Sequence, residues 1–238
     1  MKALISAAGM GSRMGDLTAD INKCALELNG IPIIERLVNS LESLGINEIF
    51  VVVGYQQQSI KDILKDRVTY LENSDYETTG ILTSILTSKN KLSGSEFLFM
   101  TGDSVMDKSI IEKMINNRLK NHILVSVHKK ICDEEDCKVI MEGKKFIAIS
   151  KKVDSNDALG EFTGLVRVDK ELSVPFFQEV ASYIGSDDSS KILGDVLVIL
   201  QTMGYNVALQ MTGDYYRTEI DFLSDLKKAK KGIIINNL

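Results

Sequence analysis

Tryptophan is absent from this chain, and it has only two prolines (Pro32 and Pro175) and three cysteines (Cys24, Cys132 and Cys137). An odd cysteine count without paired spacing excludes a disulfide framework. Cys132 and Cys137 stand five apart with His128 nearby, but a zinc site would want a fourth ligand and a tighter pair, so reduced thiols are expected. Scarce proline, and no Pro/Gly/Ser-rich linker, argue for one compact domain over all 238 residues, long enough for a large core. No apolar run reaches 18 residues, which leaves no membrane-spanning helix. Residues 2–8 are too short and lack the architecture of a signal peptide, so a soluble, cytoplasmic protein is expected. The net charge is −5 with no basic stripe, which argues against a nucleic-acid partner.

Two well-known phosphate loops are also missing. No G-x-x-x-x-G-K-[ST] string occurs, and the dinucleotide fingerprint fails because Met14 stands three after Gly11 and Gly15 falls one place late. A different phosphate loop is present. The apolar run Ala3-Leu4-Ile5 reads as a buried strand and feeds into Ala7-Ala8-Gly9-Met10-Gly11-Ser12-Arg13. Gly9 and Gly11 let the backbone turn sharply and approach a ligand. Turned-in N–H groups make an anion nest, and Arg13 adds a planar fork of donors. Lys23, ten residues on, brings a second cation to the same mouth, while the stretch Asp16 to Asn22 reads as polar and irregular. The combination suits a nucleoside triphosphate.

Beyond the loop, the pattern alternates. A helix is expected from Ile31-Pro32 to Gly45, with proline in its first turn, then a fully apolar strand over Glu48–Gly54. Helices over Gln57–Leu64, Ile81–Ser88 and Lys108–Leu119 alternate with strands around Val68–Leu71, Glu96–Thr101 and Ile123–His128. This predicts a three-layer α/β/α sandwich with a mostly parallel, mixed sheet. The second half changes character: a hairpin (Lys138–Met141 and Lys145–Ser150, joined through Glu142-Gly143-Lys144) and a strand over Phe162–Val168. Helices over Leu172–Ile184 and Ile192–Met203, the strand Asn206–Gln210 and a helix over Phe222–Lys230 complete it. The closing GIIINNL is a candidate docking or dimerising tail.

A triphosphate needs a divalent cation, and Mg²⁺ typically takes only one or two carboxylates. Asp103 fits, because Thr101-Gly102-Asp103 ends the buried strand at the edge where open α/β sheets bind ligands, and Gly102 leaves room there.

The string Ala7-Ala8-Gly9-x-Gly11-x-Arg13 followed by Lys23 resembles the signature of nucleotidyltransferases of Rossmann-like fold that join a nucleoside triphosphate to a phosphorylated small molecule. Relatives usually carry proline where this chain has Asn22. The resemblance extends over the whole chain and divides it into an NTP-binding half (1–130) and an acceptor-binding half (131–238). It implies nucleotide contacts from Ala7, Ala8, Gly9, Gly11, Ser12, Arg13, Lys23, Gly80, Ser84 and Gly102, although Gly80 stands where many relatives have asparagine. Glu219-Ile220-Asp221 resembles the family's closing motif, which implies Asp221 as second Mg²⁺ ligand with Glu219 in support; by itself Asp221 is equally an N-cap for the last helix.

Asp133 to Val139, Ile149-Ser150-Lys151 and Gly160-Glu161-Phe162-Thr163-Gly164 resemble segments of cytidylyltransferases acting on phosphocholine, phosphonates or related phospho-alcohols. The implied acceptor-binding set is Lys138, Lys151, Glu161, Arg217 and Glu219, against a plain reading of both lysines as solvated hairpin residues. The implied reaction is attack by the acceptor's phosphate or phosphonate oxygen on the α-phosphorus of CTP, with Arg13 and Lys23 as the catalytic cations. The absence of tryptophan, and Arg217 where an aromatic residue often precedes Glu-x-Asp, favour a neutral or anionic acceptor head over a cationic one. Rival readings are a sugar-1-phosphate enzyme using UTP, dTTP or GTP, a molybdopterin-type transferase, and a catalytically silent nucleotide sensor. Relatives also commonly form homodimers through the second half.

Overall fold

A computed structural model of the chain describes residues 1–143, 145–184 and 192–236. The first half runs β1 (Lys2–Ala7), 3₁₀ turns at Ser12–Thr18 and Lys23–Ala25, β2 (Glu27–Leu28), β3 (Ile31–Pro32) and α1 (Ile33–Ser43). It continues through β4 (Ile49–Val53), α2 (Gln57–Leu64), β5 (Thr69–Glu72), α3 (Ile81–Thr87), α4 (Lys89–Leu92), β6 (Phe97–Thr101), β7 (Ser104–Met106), α5 (Lys108–Asn116) and β8 (His122–His128). The second half adds β9 (Lys138–Glu142), β10 (Lys145–Ser150), β11 (Gly160–Val168), α6 (Lys170–Ile184), α7 (Leu193–Thr202), β12 (Asn206–Met211), β13 (Arg217–Glu219) and α8 (Leu223–Asn236).

One nine-stranded sheet passes through both halves in the order β10-β9-β11-β6-β1-β4-β5, with β8 on β11 and β12 on β8. The β6-β1-β4-β5 block is wholly parallel. β11 then enters antiparallel to both β6 and β8. Strand alternation divides the core between the two faces. Ala3, Ile5, Leu98 and Met100 point to α1, α2 and α5, whereas Leu4, Phe97 and Phe99 point to α3, α6 and α7. Three layers result, as the β-α-β alternation predicts. On the second face Phe97, Phe176 and Phe177 pack with ring centroids 5.5–5.9 Å apart, each burial worth roughly 1.5–3 kcal/mol.

The structure departs from the sequence expectations at four places. Ile31-Pro32 forms β3 rather than the start of a helix: Asn29-Gly30, at φ 54° and 79°, makes a two-residue turn that pairs β3 with β2, and α1 starts one residue later. Met14 is buried and pulls Ser12–Thr18 into a 3₁₀ turn, kinked at Gly15, where an irregular stretch was expected. β7 and β13, neither foreseen, form a separate antiparallel ladder. The last helix runs on to Asn236, so residues 232–236 are no separate tail: Ile233 is buried against Leu28, Ile33 and Ile220, while Ile234 and Ile235 face outward. Lys144 in the hairpin turn, and the final two residues of the closing segment, lie outside the described residues.

Candidate active site

The site lies at the carboxyl ends of β1 and β6. Gly102 at the end of β6 donates its N–H to the Ser6 carbonyl at 2.8 Å, and a Cβ there would come 2.8 Å from that oxygen, so only glycine lets the two strand ends close up. Ala7 and Ala8 are buried, and the chain then emerges through exposed Gly9 and left-handed Gly11. Backbone N–H groups from Gly9 to Arg13 donate to no other described residue, which leaves them available to an anion. Ser12 opens the 3₁₀ turn on the exposed side.

Asn22, unassigned from the sequence, fixes the far side of this loop. It is fully buried, and its Nδ2 donates to the Ala7 and Tyr55 carbonyls at 2.9 Å and to Gly9 at 3.4 Å. Its Oδ1 accepts from Cys24 N, and its own N–H donates to Ser59 Oγ at 3.0 Å. A proline here would lack that N–H and every side-chain bond. Asn22 thereby sets the direction of Lys23, whose stem lies against Gly11.

Lys23 Nζ sits between two carboxylates, 2.7 Å from Asp103 Oδ2 and 2.9 Å from Asp221 Oδ1. Burial alone would lower its pKa, but Asp103 and Asp221 more than reverse this and hold it charged. The β7–β13 ladder explains how residues so distant in sequence meet. It pairs Ser104 with Glu219, and Ile220 N donates to the Asp103 carbonyl, so the residues flanking each strand come together. Burial pushes the Asp221 carboxyl up, yet Lys23 and then Arg13 outweigh it and its pKa falls. The alternative reading of Asp221 as a helix cap gains no support: its carboxylate oxygens accept from Lys23 and Arg13, and it is Asp225 Oδ2 that accepts from the N–H groups of Asp221 and Phe222 at the start of α8. Arg13 reaches the same cluster, 3.2 Å from Asp221, with its guanidinium over the Phe222 ring at 5.5 Å.

Two carboxylates converging on one cation are a donor set that suits Mg²⁺, with water and phosphate oxygens completing the shell. Among the described residues no cluster of three or more His, Cys, Asp and Glu offers a ready-made cage for another metal. Cys24 lies beneath, its thiol buried and pushed up to about 12 by that burial and then by Asp103.

Beside Asp221 opens a cleft of about 540 Å³. Glu161 and Arg217 pair across it, and Lys130 bridges Glu161 at 3.5 Å and Asp136 at 2.9 Å. Lys130 carried no signal in the sequence beyond its charge, and Asp136 was marked only as part of the Asp133 to Val139 segment. Burial pushes Glu219 up to about 7, Arg217 opposing and Asp103, Glu161 and Asp221 adding to the rise. Lys151 is half-exposed and 3.4 Å from Glu135, which in turn reaches Arg13 at 4.0 Å.

Lys138 corrects both readings given to it. It is neither solvated nor open to an acceptor: at 1% exposure, its ammonium donates to the carbonyls of Lys151 (2.8 Å), Asp136 (3.3 Å) and Glu134 (3.4 Å), stapling the 134–136 loop to the hairpin. Ser84 is likewise buried and accepts from Asn73 Nδ2, while Gly80 is exposed at the start of α3.

Residues 3–161 match the model of the MobA-like NTP transferase domain. The chain is 28% identical to the CTP:phosphoglutamine cytidylyltransferase of Campylobacter jejuni, over 95% of this chain and 98% of that one. It is 34% identical to the bifunctional protein GlmU of Methanococcus aeolicus over 53% of its own length, spanning only 30% of that longer relative. The inositol-1-phosphate CTP transferase of T. maritima superposes with a TM-score of 0.78 over 98% of this chain and 94% of that one, at 23% identity, which is a likeness of fold. With its glycine loop, its lysine held between two aspartates and the family match over most of its length, the chain belongs to the MobA-like NTP transferase domain family.

Proposed function

We propose that this protein is a Mg²⁺-dependent cytidylyltransferase that moves CMP from CTP to a phosphorylated or phosphonate small molecule and releases pyrophosphate. The observation that carries the proposal is Lys23 Nζ, held 2.7 and 2.9 Å from Asp103 and Asp221 at the mouth of the glycine loop. The full-length likeness to a phosphoglutamine cytidylyltransferase supports the choice of CTP and of a phosphorylated acceptor.

Asp103 and Asp221 would hold Mg²⁺, which when bound neutralises triphosphate charge and orients its oxygens. The unbonded N–H groups from Gly9 to Arg13 cradle the triphosphate, and Arg13 holds the leaving β- and γ-phosphates by its planar fork. Lys23, already charged, meets the negative charge that grows on the α-phosphate. The acceptor oxygen forms the new bond to the α-phosphorus as the bond to pyrophosphate breaks. Positioning and charge stabilisation supply the acceleration, and no general base is needed for a phosphate dianion.

The test is pyrophosphate release in Mg²⁺, crossing four nucleoside triphosphates with a panel of phosphorylated acceptors. CTP-selective release supports the reading. Release only with glucose-1-phosphate and UTP or dTTP would move the chain to the sugar-activating branch. Lys23→Ala is expected to lower kcat more than it weakens nucleotide binding.

A further inference from the structure

Beyond the triphosphate end, the cleft holds two charged side chains whose bonding is incomplete. Arg217 and Glu219 stand two apart on β13, so both rise from one face of the strand, with Cα atoms roughly 6–7 Å apart. The Arg217 side chain is 3% exposed and pairs with Glu161 through Nη1, yet its Nε and Nη2 have no hydrogen-bond partner. Nη2 lies 3.3 Å from Glu219 Oε1 without a hydrogen bond between them. Among the described residues, the Glu219 carboxylate accepts no hydrogen bond and has Arg217 as its one ionic contact. A buried guanidinium with open donors beside a carboxylate with open acceptors is costly to maintain unless a ligand completes both.

The order of charges along the cleft says what that ligand carries. In the reading above, the acceptor phosphate meets the nucleotide at Asp221, beside Lys23 and Arg13. Next comes the Glu219 carboxylate, then the Arg217 guanidinium. Resting on the cytidylyltransferase reading above, we infer that the acceptor is a phosphorylated or phosphonate compound with a zwitterionic amino-acid head. Its ammonium sits on Glu219 and its carboxylate on Arg217. An acceptor with ammonium alone leaves the Arg217 donors open, and one with carboxylate alone leaves Glu219 open. A quaternary ammonium is poorly served, because among the described residues Phe222 is the one Phe or Tyr lining this cleft and Arg13 already covers its ring. The sequence expectation of a neutral or anionic head rested on the absence of tryptophan and on Arg217; the structure places Glu219 beside that guanidinium.

Three acceptors of matched length test this. With CTP and Mg²⁺, 2-amino-4-phosphonobutyrate is expected to exceed both 3-aminopropylphosphonate and 4-phosphonobutyrate in kcat/KM by at least about tenfold, the scale of one charge-assisted contact. Glu219→Gln should erase its advantage over 4-phosphonobutyrate, and Arg217→Gln its advantage over 3-aminopropylphosphonate. Should the buried Arg217→Gln variant fail to fold, Glu219→Gln still decides. A single-charge acceptor that equals the zwitterion overturns the inference. Calorimetric binding of the three compounds, read without turnover, separates the two claims: if no nucleotide is consumed, the cytidylyltransferase reading falls, and equal affinities for the three compounds overturn the zwitterion on their own.

Discussion

At the triphosphate end of the cleft the charged groups close on one another, Lys23 taking both Asp103 and Asp221 while Asn22 binds the loop behind it. At the acceptor end Arg217 and Glu219 approach to 3.3 Å and leave their hydrogen-bonding valences open. In the reading proposed above, the first end takes a triphosphate, a ligand of constant shape, and can be built in advance from glycines and strand ends. In the same reading, the second is specific to whatever the acceptor carries beyond its phosphate. Preorganisation belongs where the chemistry occurs, and unfilled valence belongs where identity is read.

The sharpest way to break the closed end is Asp103→Asn. It removes one of the two carboxylates from an already formed cluster, and turnover by pyrophosphate release should fall by a factor of about 10³ or more, with an unchanged circular dichroism spectrum. Appreciable activity in that variant would remove Asp103 from the metal site. Asn22→Ala should come next, because several bonds to the loop and to Tyr55 vanish together. Its kcat is expected to fall about tenfold or more with a smaller change in the KM for CTP, as for a group that orients Lys23. A variant with wild-type kcat would show that Lys23 is placed by other means.

On the other side of the comparison, Lys138→Met should act on stability first. It strands the carbonyls of Glu134, Asp136 and Lys151 and should cost about 1–3 kcal/mol in a denaturant titration. Loss of acceptor affinity with no change in the unfolding midpoint would return Lys138 to an acceptor-binding role. The smallest effect concerns His128, on the wall of the acceptor cleft. Burial, then Arg217, lowers its pKa in the folded protein. The unfolded chain therefore takes up this proton at higher pH than the folded one, so stability is full above the ordinary histidine range near 6.5 and falls as pH drops through it. His128→Asn should flatten that slope in melting temperatures measured from pH 7.5 to 5.5.

The parts of the site legible in the sequence are those that local chemistry dictates. A glycine loop after an apolar strand announces itself because few backbones need Gly-x-Gly followed by Arg13, and Asp103 announces itself by ending a fully buried strand. The Asn29-Gly30 hairpin was missed although the dipeptide favours that turn, because Pro32 was read as a helix start. Lys138 was not legible, because a lysine in a hairpin is ordinarily solvated, and only the carbonyls gathered from the 134–136 loop and from Lys151 hold its ammonium inside.

Periodicity and turn chemistry are local, and so the chain's order of residues was enough to define the three-layer α/β/α plan and to place the glycine loop and Asp103 at the carboxyl ends of buried strands. The meeting of Asp103 with Asp221 is not local: it depends on the ladder between β7 and β13, strands of three residues each, too short to show a period. The same holds for the open valences of Arg217 and Glu219. Whether a charged group is satisfied depends on which distant atoms surround it, and that is decided when the chain has folded.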